Sequence, residues 1–179
     1  MEPQQSYAED QLLVMEAQDG DVRAMESLVR RWQKRLWQHA LRLTDDPEAA
    51  WDVTQQTWLG IIKGLRRLND PARFRAWAYR ITTNQAMDWL KKNRCSIRSI
   101  ADHPEPASPE TADLGLMGLL PKLDLKKRLV LSLFYLEQLS IREISAALGI
   151  PSGTVKSRLH KARQELKELW QHDIEGDIP

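Results

Sequence analysis

Residues 139–163 read LSIREISAALGIPSGTVKSRLHKAR and encode two helices separated by a short turn. Ser140 and Glu143 have the spacing of a capping box, in which the two side chains satisfy backbone N–H groups at a helix start. The first helix is expected to end at Gly149, and Ser152 is expected to cap the second helix. Two helices joined by a short turn that contains glycine predict a helix-turn-helix.

The second of these helices has one apolar face and one basic face. Its apolar side chains recur at steps of three and four and are Val155, Leu159, Ala162, Leu166 and Leu169. The opposite face belongs to a run, 154–163, that contains no acidic residue. A polar, basic helix in this position fits the major groove of duplex DNA, whereas the alternative is an ordinary α-hairpin with a solvated basic face.

The candidate DNA-contacting residues of this helix fall into three sets. Those expected to face base edges are Ser157, His160 and Lys161. Those expected to contact mainly phosphates are Lys156, Arg158 and Arg163. The small residues at the helix tip, which would allow close approach to the duplex, are Ser152, Gly153 and Thr154.

Helical periodicity also dominates the rest of the chain. The segment 25–43 repeats apolar side chains every three or four positions, and a long helix is expected over about 72–93. Three prolines interspersed with polar residues between 95 and 113 predict a linker. We therefore expect an all-α protein of two small helical domains joined by a flexible linker, with the first domain at 1–95, the linker at 96–114 and the helix-turn-helix domain at 115–179.

Several helix boundaries can be predicted from local signals. Asp21 and Asp46 are expected N-caps, and the helix that Asp46 opens should run to about Gly64. A loop is expected over 65–71, and a helix is expected from Lys122 to Glu137.

The predicted helix over 72–93 is apolar on two sides. One stripe consists of Phe74, Trp77, Ala78 and Ile81, and the other of Tyr79, Thr83, Ala86, Met87 and Leu90. Such a helix is either packed on both sides within its own core or exposes one face to a partner. Asn84 and Asp88 share the side of Trp77, so they are either internal hydrogen-bonding groups or groups offered to a ligand.

The net charge of +1 conceals an uneven distribution. Residues 63–94 carry nine Lys and Arg against two Asp and Glu, whereas residues 1–62 carry six against eleven. Residues 95–115 carry one against four, and residues 116–179 carry ten against eight. Two basic surfaces separated by an acidic stretch indicate two contacts with a polyanion, although basic helix faces are often simply solvated.

Composition argues against several classes of protein. No apolar run approaches the roughly 18 residues of a membrane span, and the first residues lack the order of a signal peptide, so we expect a soluble, cytoplasmic protein without a membrane contact. The single cysteine, Cys95, excludes an internal disulfide. Four scattered histidines and the absence of HExxH or GxxxxGK[ST] patterns give no sign of a metal site, a cofactor or an enzyme.

The stretch 139–163 resembles region 4 of the extracytoplasmic-function (ECF) group of bacterial sigma-70-type sigma factors. Upstream, Asp52-Val53-Thr54-Gln55-Gln56 resembles the region 2 helix that binds polymerase in that family. The run FRAWAYRI at 74–81, followed by Asn84 and Asp88, resembles the family's promoter-opening helix. Trp51 stands where the family usually has an acidic residue.

The resemblance implies partners and roles for these residues. In such factors the first domain binds the clamp helices of the β′ subunit of RNA polymerase and captures the unpaired minus-10 strand of promoter DNA. The second domain binds the minus-35 duplex and the β flap, and an anti-sigma factor often covers these surfaces. The implied polymerase-binding residues are Asp52, Gln55 and Gln56. The implied minus-10 residues are Arg66, Arg67, Asn69, Arg73, Trp77, Arg80 and Asn84, and the minus-35 residues are the three sets given above.

Two other functions compete with this interpretation. A helix-turn-helix regulator could bind duplex DNA without polymerase, but it would need neither the basic segment 63–94 nor Asp52 and Gln55. A helical interaction protein could use the same basic faces to bind an acidic protein, and sequence preference among DNA duplexes would distinguish the two.

Overall fold

A computed structural model describes residues 3–99 and 116–176 of the chain, and these residues form helices and turns without a strand. The elements of the first part are α1 (Pro3–Gln18), α2 (Val22–Thr44), α3 (Pro47–Gly64), two 3-10 turns (Leu65–Arg67 and Pro71–Arg73) and α4 (Phe74–Ser99). Those of the second part are α5 (Leu116–Leu119), a 3-10 turn (Leu120–Lys122), α6 (Leu125–Leu131), a π-turn (Ser132–Leu136), α7 (Ile141–Leu148) and α8 (Ser152–Gly176). The expected all-α class with two helical domains is confirmed, and most of the predicted linker lies outside the described residues.

The core of the first domain is centred on Trp32 of α2, which is fully buried. Its ring meets Phe74 edge-on with centroids 5.3 Å apart, and it meets Tyr79 at 5.9 Å. Edge-to-face aromatic pairs add to the free energy already gained from burying their area. The contacts attach α4 to the apolar stripe of α2, whose predicted members Leu28, Trp32, Leu36, Ala40 and Leu43 are buried.

Helix α4 is packed on both sides within its own domain. At a second contact, Ile81 and Trp77 lie against Gly60 and Gly64 of α3, respectively. A Cβ at Gly64 would lie 2.9 Å from the Trp77 ring, and one at Gly60 would lie 3.2 Å from Ile81 Cγ2. The two glycines, one helical turn apart, therefore allow α3 and α4 to approach each other closely.

Most predicted boundaries in the first domain are confirmed, because the capping residues act as expected. Asp21 Oδ1 accepts a hydrogen bond from Arg23 N at 2.7 Å, and Asp46 Oδ1 accepts one from Glu48 N at 2.8 Å. Helix α3 ends at Gly64. Helix α4 differs from the prediction: a 3-10 turn at Pro71–Arg73 precedes it, and the helix continues to Ser99, beyond the end expected at about residue 93.

The helix expected from Lys122 to Glu137 is shorter and less regular than predicted. Asp124 caps α6, because its carboxylate accepts hydrogen bonds from Lys126 N and Lys127 N. After Leu131 the helix widens into the π-turn, which ends at Leu136. Two residues later, Gln138 has a positive φ of 55°. Asp124, a residue type that favours the N-cap position, is the local signal in the sequence for the observed start of α6.

The helix-turn-helix forms as predicted. Ser140 N donates to Glu143 Oε2 at 2.8 Å and Glu143 N donates to Ser140 Oγ at 3.2 Å, which completes the capping box. Helix α7 ends at Leu148 and is followed by Gly149, whose φ of +64° suits a residue without a Cβ. Ile150 N then donates to Ser145 O, so the turn is fixed by backbone hydrogen bonds.

No helix in the described ranges is long and apolar enough to cross a membrane. Within the same ranges, His, Cys, Asp and Glu side chains do not gather in groups of three that could hold a metal ion.

His39 is a core residue that the apolar pattern did not reveal. It is fully buried on α2, its Nε2 lies 2.9 Å from Thr83 Oγ1, and its ring contacts that of Tyr79. Burial, with a smaller contribution from the charge of Arg42, lowers the pKa of His39 from 6.5 to about 3. The imidazole is therefore neutral in the folded protein at physiological pH.

The pKa of His39 predicts an acid-dependent loss of stability. Below about pH 6.5 the unfolded chain binds a proton that the folded chain rejects, so the contribution of this group is complete above pH 6.5 and falls as the pH drops towards 3. At pH 5 the loss should be about 2 kcal/mol. Urea unfolding of the protein and of His39→Gln at pH 8 and pH 5 measures it. The stability difference between the two should shrink by that amount, and a constant difference would contradict the prediction.

The close approach of α3 and α4 predicts that Gly64→Ala destabilises the protein. The new methyl group would displace the Trp77 ring, and overpacking of this kind costs about 1–3 kcal/mol, which exceeds the gain in helix propensity. Gly153→Ala is the matched control, because a Cβ at this helical position meets no atom within 4 Å. Thermal unfolding should show a lower midpoint for Gly64→Ala and an unchanged or higher one for Gly153→Ala. Equal midpoints would mean that the Trp77 contact imposes no constraint.

Candidate nucleic-acid interfaces

The outer face of α8 is a polar and basic surface. Its exposed predicted members are Gly153, Lys156, Ser157, His160, Lys161 and Arg163, whereas Ser152, Thr154 and Arg158 are half-buried. The opposite face is anchored, since Val155, Leu159 and Ala162 are at most 2% exposed. The helical period thus groups Gly153, Ser157, His160 and Lys161 at the centre of the outer face of α8, and the other predicted minus-35 residues lie on its flanks.

The start of α8 differs by one residue from the prediction. Pro151 O accepts hydrogen bonds from both Thr154 N and Val155 N, so Pro151 holds the cap position and Ser152 lies in the first turn. The expectation that Ser152 caps the helix is therefore wrong. The N–H groups of Ser152 and Gly153, at the very start of the helix, have no helical carbonyl four residues earlier and point out of this end of α8.

One ion pair and one hydrogen bond fix α8 to α6 and to the π-turn that follows α6. Lys127 of α6 pairs with Glu165 of α8 and with Asp124, and these hydrogen bonds raise the pKa of Lys127. Arg163 donates from Nε to the Tyr135 hydroxyl at 2.8 Å. Arg163 is therefore the one predicted phosphate contact on α8 that already has a side-chain partner among the described residues.

The other cations of α8 lack such partners. Lys156, Arg158 and Lys161 have no acidic group within ion-pair distance in the described part of the chain. A helix face with unpaired cations attracts an anion more strongly than one whose cations are already neutralised. The electrostatics of this face therefore favour contact with phosphates.

A pocket of about 550 Å³ lies in the first domain, where α3 passes into α4. Its walls include four of the predicted minus-10 residues, namely Arg67, Asn69, Arg73 and Trp77. Gly64, Leu68 and Asp70 complete it, and of these three only Gly64 lies outside the loop 66–73 that the family resemblance implies for base binding. The pocket combines one aromatic ring, an amide and two guanidinium groups, which are the groups that bind an unstacked base and its phosphate.

The shape of the loop around this pocket depends on Asp70. Its Oδ1 accepts a hydrogen bond from Ala72 N at 3.0 Å, and its Oδ2 pairs with Arg73 Nε at 3.2 Å. The side chain of Arg73 is 80% exposed, so this ion pair is weak and can open when a phosphate approaches. Arg67 has no such acidic partner among the described residues.

The remaining predicted minus-10 residues lie outside the pocket wall. Arg66, Arg80 and Asn84 are exposed. Asn84 follows Trp77 by two helical turns on the same side of α4, about 10 Å along the axis. The structure thus places Arg80 and Asn84 in a line that leads away from the pocket along α4.

The predicted polymerase-binding residues form a separate exposed face on α3. Asp52, Gln55 and Gln56 are all exposed, and so are Trp51, Leu59 and Ile62, at 45%, 48% and 53%. The Trp51 ring packs against Trp37 of α2 with centroids 5.8 Å apart. Sequence reasoning missed Leu59 and Ile62, although their spacing from Gln55 places all three on one side of a helix.

Comparison with known families identifies both domains. A family described as "Sigma-70 region 2" matches residues 28–95, which include α3, the pocket and most of α4. A family described as "Sigma-70, region 4" matches residues 114–166, which include the helix-turn-helix.

Curated relatives match over most of the chain. It is 33% identical over 163 residues to the RNA polymerase sigma-E factor of Streptomyces coelicolor, with 88% of this chain and 92% of the relative covered. It is 33% identical over 172 residues to the ECF RNA polymerase sigma factor SigE of Mycolicibacterium smegmatis, with 87% of this chain covered. The match spans 66% of the length of that second relative.

Solved structures show the same fold. CnrH, in its complex with the cytosolic domain of CnrY, aligns with a TM-score of 0.71 and 30% identity over 92% of this chain and 99% of CnrH. The sigma factor RpoE of Bartonella quintana, in complex with the anti-sigma factor NepR, aligns with a TM-score of 0.69 and 22% identity over 84% of this chain and 98% of RpoE.

Proposed function

This chain belongs to the ECF group of RNA polymerase sigma factors. From that membership we propose which surfaces bind the polymerase and which bind promoter DNA. It is a transcription initiation factor that binds core RNA polymerase and promoter DNA. The first domain would contact the polymerase and the melted minus-10 strand, and the second would read the minus-35 duplex. Synthesis of RNA would be catalysed by the polymerase, in the cytoplasm, and not by this chain.

The minus-10 role rests on the pocket at the start of α4. A base extruded from the duplex needs a π-surface, a hydrogen-bonding group and cations for its backbone. Trp77, Asn69 and Arg67 supply these three groups in the lining of one pocket, and this combination is the observation that carries the proposal. Arg80 and Asn84 would then contact the strand as it continues along α4.

The minus-35 role rests on the outer face of α8. Lys156, Arg158 and Lys161 are cations without an acidic partner in the described residues, and a helix-turn-helix places such a helix in the major groove. His160 and Ser157 would contact base edges. Ser157 donates its hydroxyl to Thr154 O at 3.0 Å, so it would act towards a base as an acceptor.

Polymerase binding is proposed for the exposed face of α3. Asp52, Gln55 and Gln56 provide polar contacts for the β′ clamp helices, and Leu59 and Ile62 provide exposed apolar area beside them. A buried apolar centre with a polar rim is typical of stable protein interfaces. The β flap would contact the second domain.

An anti-sigma factor is a further proposed partner. CnrH and RpoE were solved with CnrY and with the anti-sigma factor NepR. Exposed apolar side chains such as Leu59 and Ile62 on the proposed polymerase-binding face are a surface that such a protein could cover.

The polymerase contact predicts that Asp52→Ala combined with Gln55→Ala weakens binding to core RNA polymerase by tenfold or more, because two polar interface contacts are lost. Fluorescence titration of the full chain against core polymerase measures the affinity. Glu26→Ala, an exposed acidic position on α2, is the control and should bind like the unmodified chain. Absence of binding by the unmodified chain at micromolar polymerase would leave a helix-turn-helix regulator that acts without polymerase.

The two proposed DNA surfaces predict that two substitutions affect different steps of initiation. Lys161→Ala should reduce discrimination at one position of the minus-35 element about tenfold, the size expected for a lost base contact, and should spare promoter opening.

Asn84→Ala should lower the yield of open complex more than it lowers core binding. Transcription from duplex and pre-melted templates separates these effects. An equal loss on all duplexes would mean that Lys161 contacts phosphate only, and an unchanged open-complex yield would make Asn84 a structural residue.

A further inference from the structure

The side chain of Gln18, at the end of α1, reaches the loop that forms the pocket. Its Nε2 donates to Leu65 O at 2.8 Å and to Leu68 O at 2.7 Å. We propose that Gln18 is a positioning residue that sets which base the pocket accepts. This inference rests on the minus-10 role proposed for that pocket.

The two carbonyl groups mark the two ends of one turn. Leu68 N donates to Leu65 O at 3.0 Å, so the residues between them form the 3-10 turn after α3. Leu65 is 1% exposed and anchors one end in the core, whereas Leu68 is half-buried and lines the pocket. Gln18 therefore ties the less anchored end of the turn to the anchored one. The directions of Arg67 and Asn69, within and just after this turn, depend on that tie.

Gln18 is itself held firmly at the end of α1. Gly20 N donates to Ala17 O and Asp21 N donates to Glu16 O, which is the hydrogen-bond pattern of a Schellman motif. Gly20 has a φ of +100°, as this motif requires. Asp21 also caps α2, so the turn that carries Gln18 is fixed at both ends. The backbone of Gln18 is therefore held in place, and its side-chain amide has a fixed point of attachment.

Glutamine is well suited to this position. A side-chain amide has two N–H donors on one nitrogen, and both are used here by backbone carbonyls. A glutamate of the same shape has no donor at neutral pH and would set a carboxylate against two carbonyl oxygens. Methionine would fill a similar volume without donors or charge. Both substitutions remove the side-chain donor from Leu68 O and leave Leu65 O with the Leu68 N–H alone, so the turn loses its tie to α1.

The test is transcription by the full chain with core polymerase from a promoter library randomised at the minus-10 and minus-35 elements, read by sequencing. For Gln18→Glu and Gln18→Met, the preference for the best base over the worst at one minus-10 position should fall about tenfold, while the minus-35 preferences stay unchanged. Gln11→Glu makes the same change at an exposed position on α1 and should leave both elements unchanged.

The pocket itself is tested in the same library with Asn69→Ala and Arg67→Ala. If these change the minus-10 preference and both Gln18 variants do not, the proposed role of the pocket stands and the inference about Gln18 is overturned. If none of the four changes it, the proposed role of the pocket fails and the inference fails with it. A Gln18 variant that loses minus-10 and minus-35 preference together would show that Gln18 only stabilises the fold.

Discussion

The packing of α4 between α2 and α3 is the constraint on which the first domain depends. At the contact with α2, the buried Trp32 meets Phe74 and Tyr79 at aromatic contact distances. At the contact with α3, Gly60 and Gly64 lack the side chains that would keep α3 away from Ile81 and Trp77. Because α4 also carries Trp77 of the pocket and the candidate strand-binding residues Arg80 and Asn84 beyond it, these contacts orient part of the proposed minus-10 surface.

The two proposed DNA surfaces differ in how they are supported. The basic face of α8 lies on a helix whose opposite side is buried and which Lys127 ties to α6, so its side chains project from a rigid frame. The pocket is formed by a loop whose shape depends on a few polar contacts, from Gln18 and Asp70. A rigid helix suits the regular groove of duplex DNA, whereas a loop with a cavity suits a single unstacked base. The rigid face of α8 therefore suits the proposed minus-35 duplex, and the loop pocket suits the proposed minus-10 base.

His39 and the α3 face illustrate opposite uses of polar and apolar groups. His39 is a polar side chain enclosed in the core, neutral because burial lowers its pKa, and it contributes to stability and not to binding. Leu59 and Ile62 are apolar side chains that remain outside the core on a face with exposed amides and a carboxylate. Burial of such area against a partner is favourable, so the second arrangement is the one that indicates an interface.

Local patterns in the chain were sufficient for the helical class, the helix-turn-helix, the caps at Asp21 and Asp46 and the basic face of α8, because helix periodicity and capping involve residues only a few positions apart. The proposed site residues on α8 could be grouped from spacing alone for the same reason. The pocket could be predicted only in part: Arg67, Asn69, Arg73 and Trp77 were identified, whereas the closure by Gly64 and the tie from Gln18 were not. Those contacts join residues far apart in the chain, 47 and 50 positions for Gln18, and no periodic pattern records them. They exist only because the packing of α1, α3 and α4 brings the groups within hydrogen-bond and van der Waals distance.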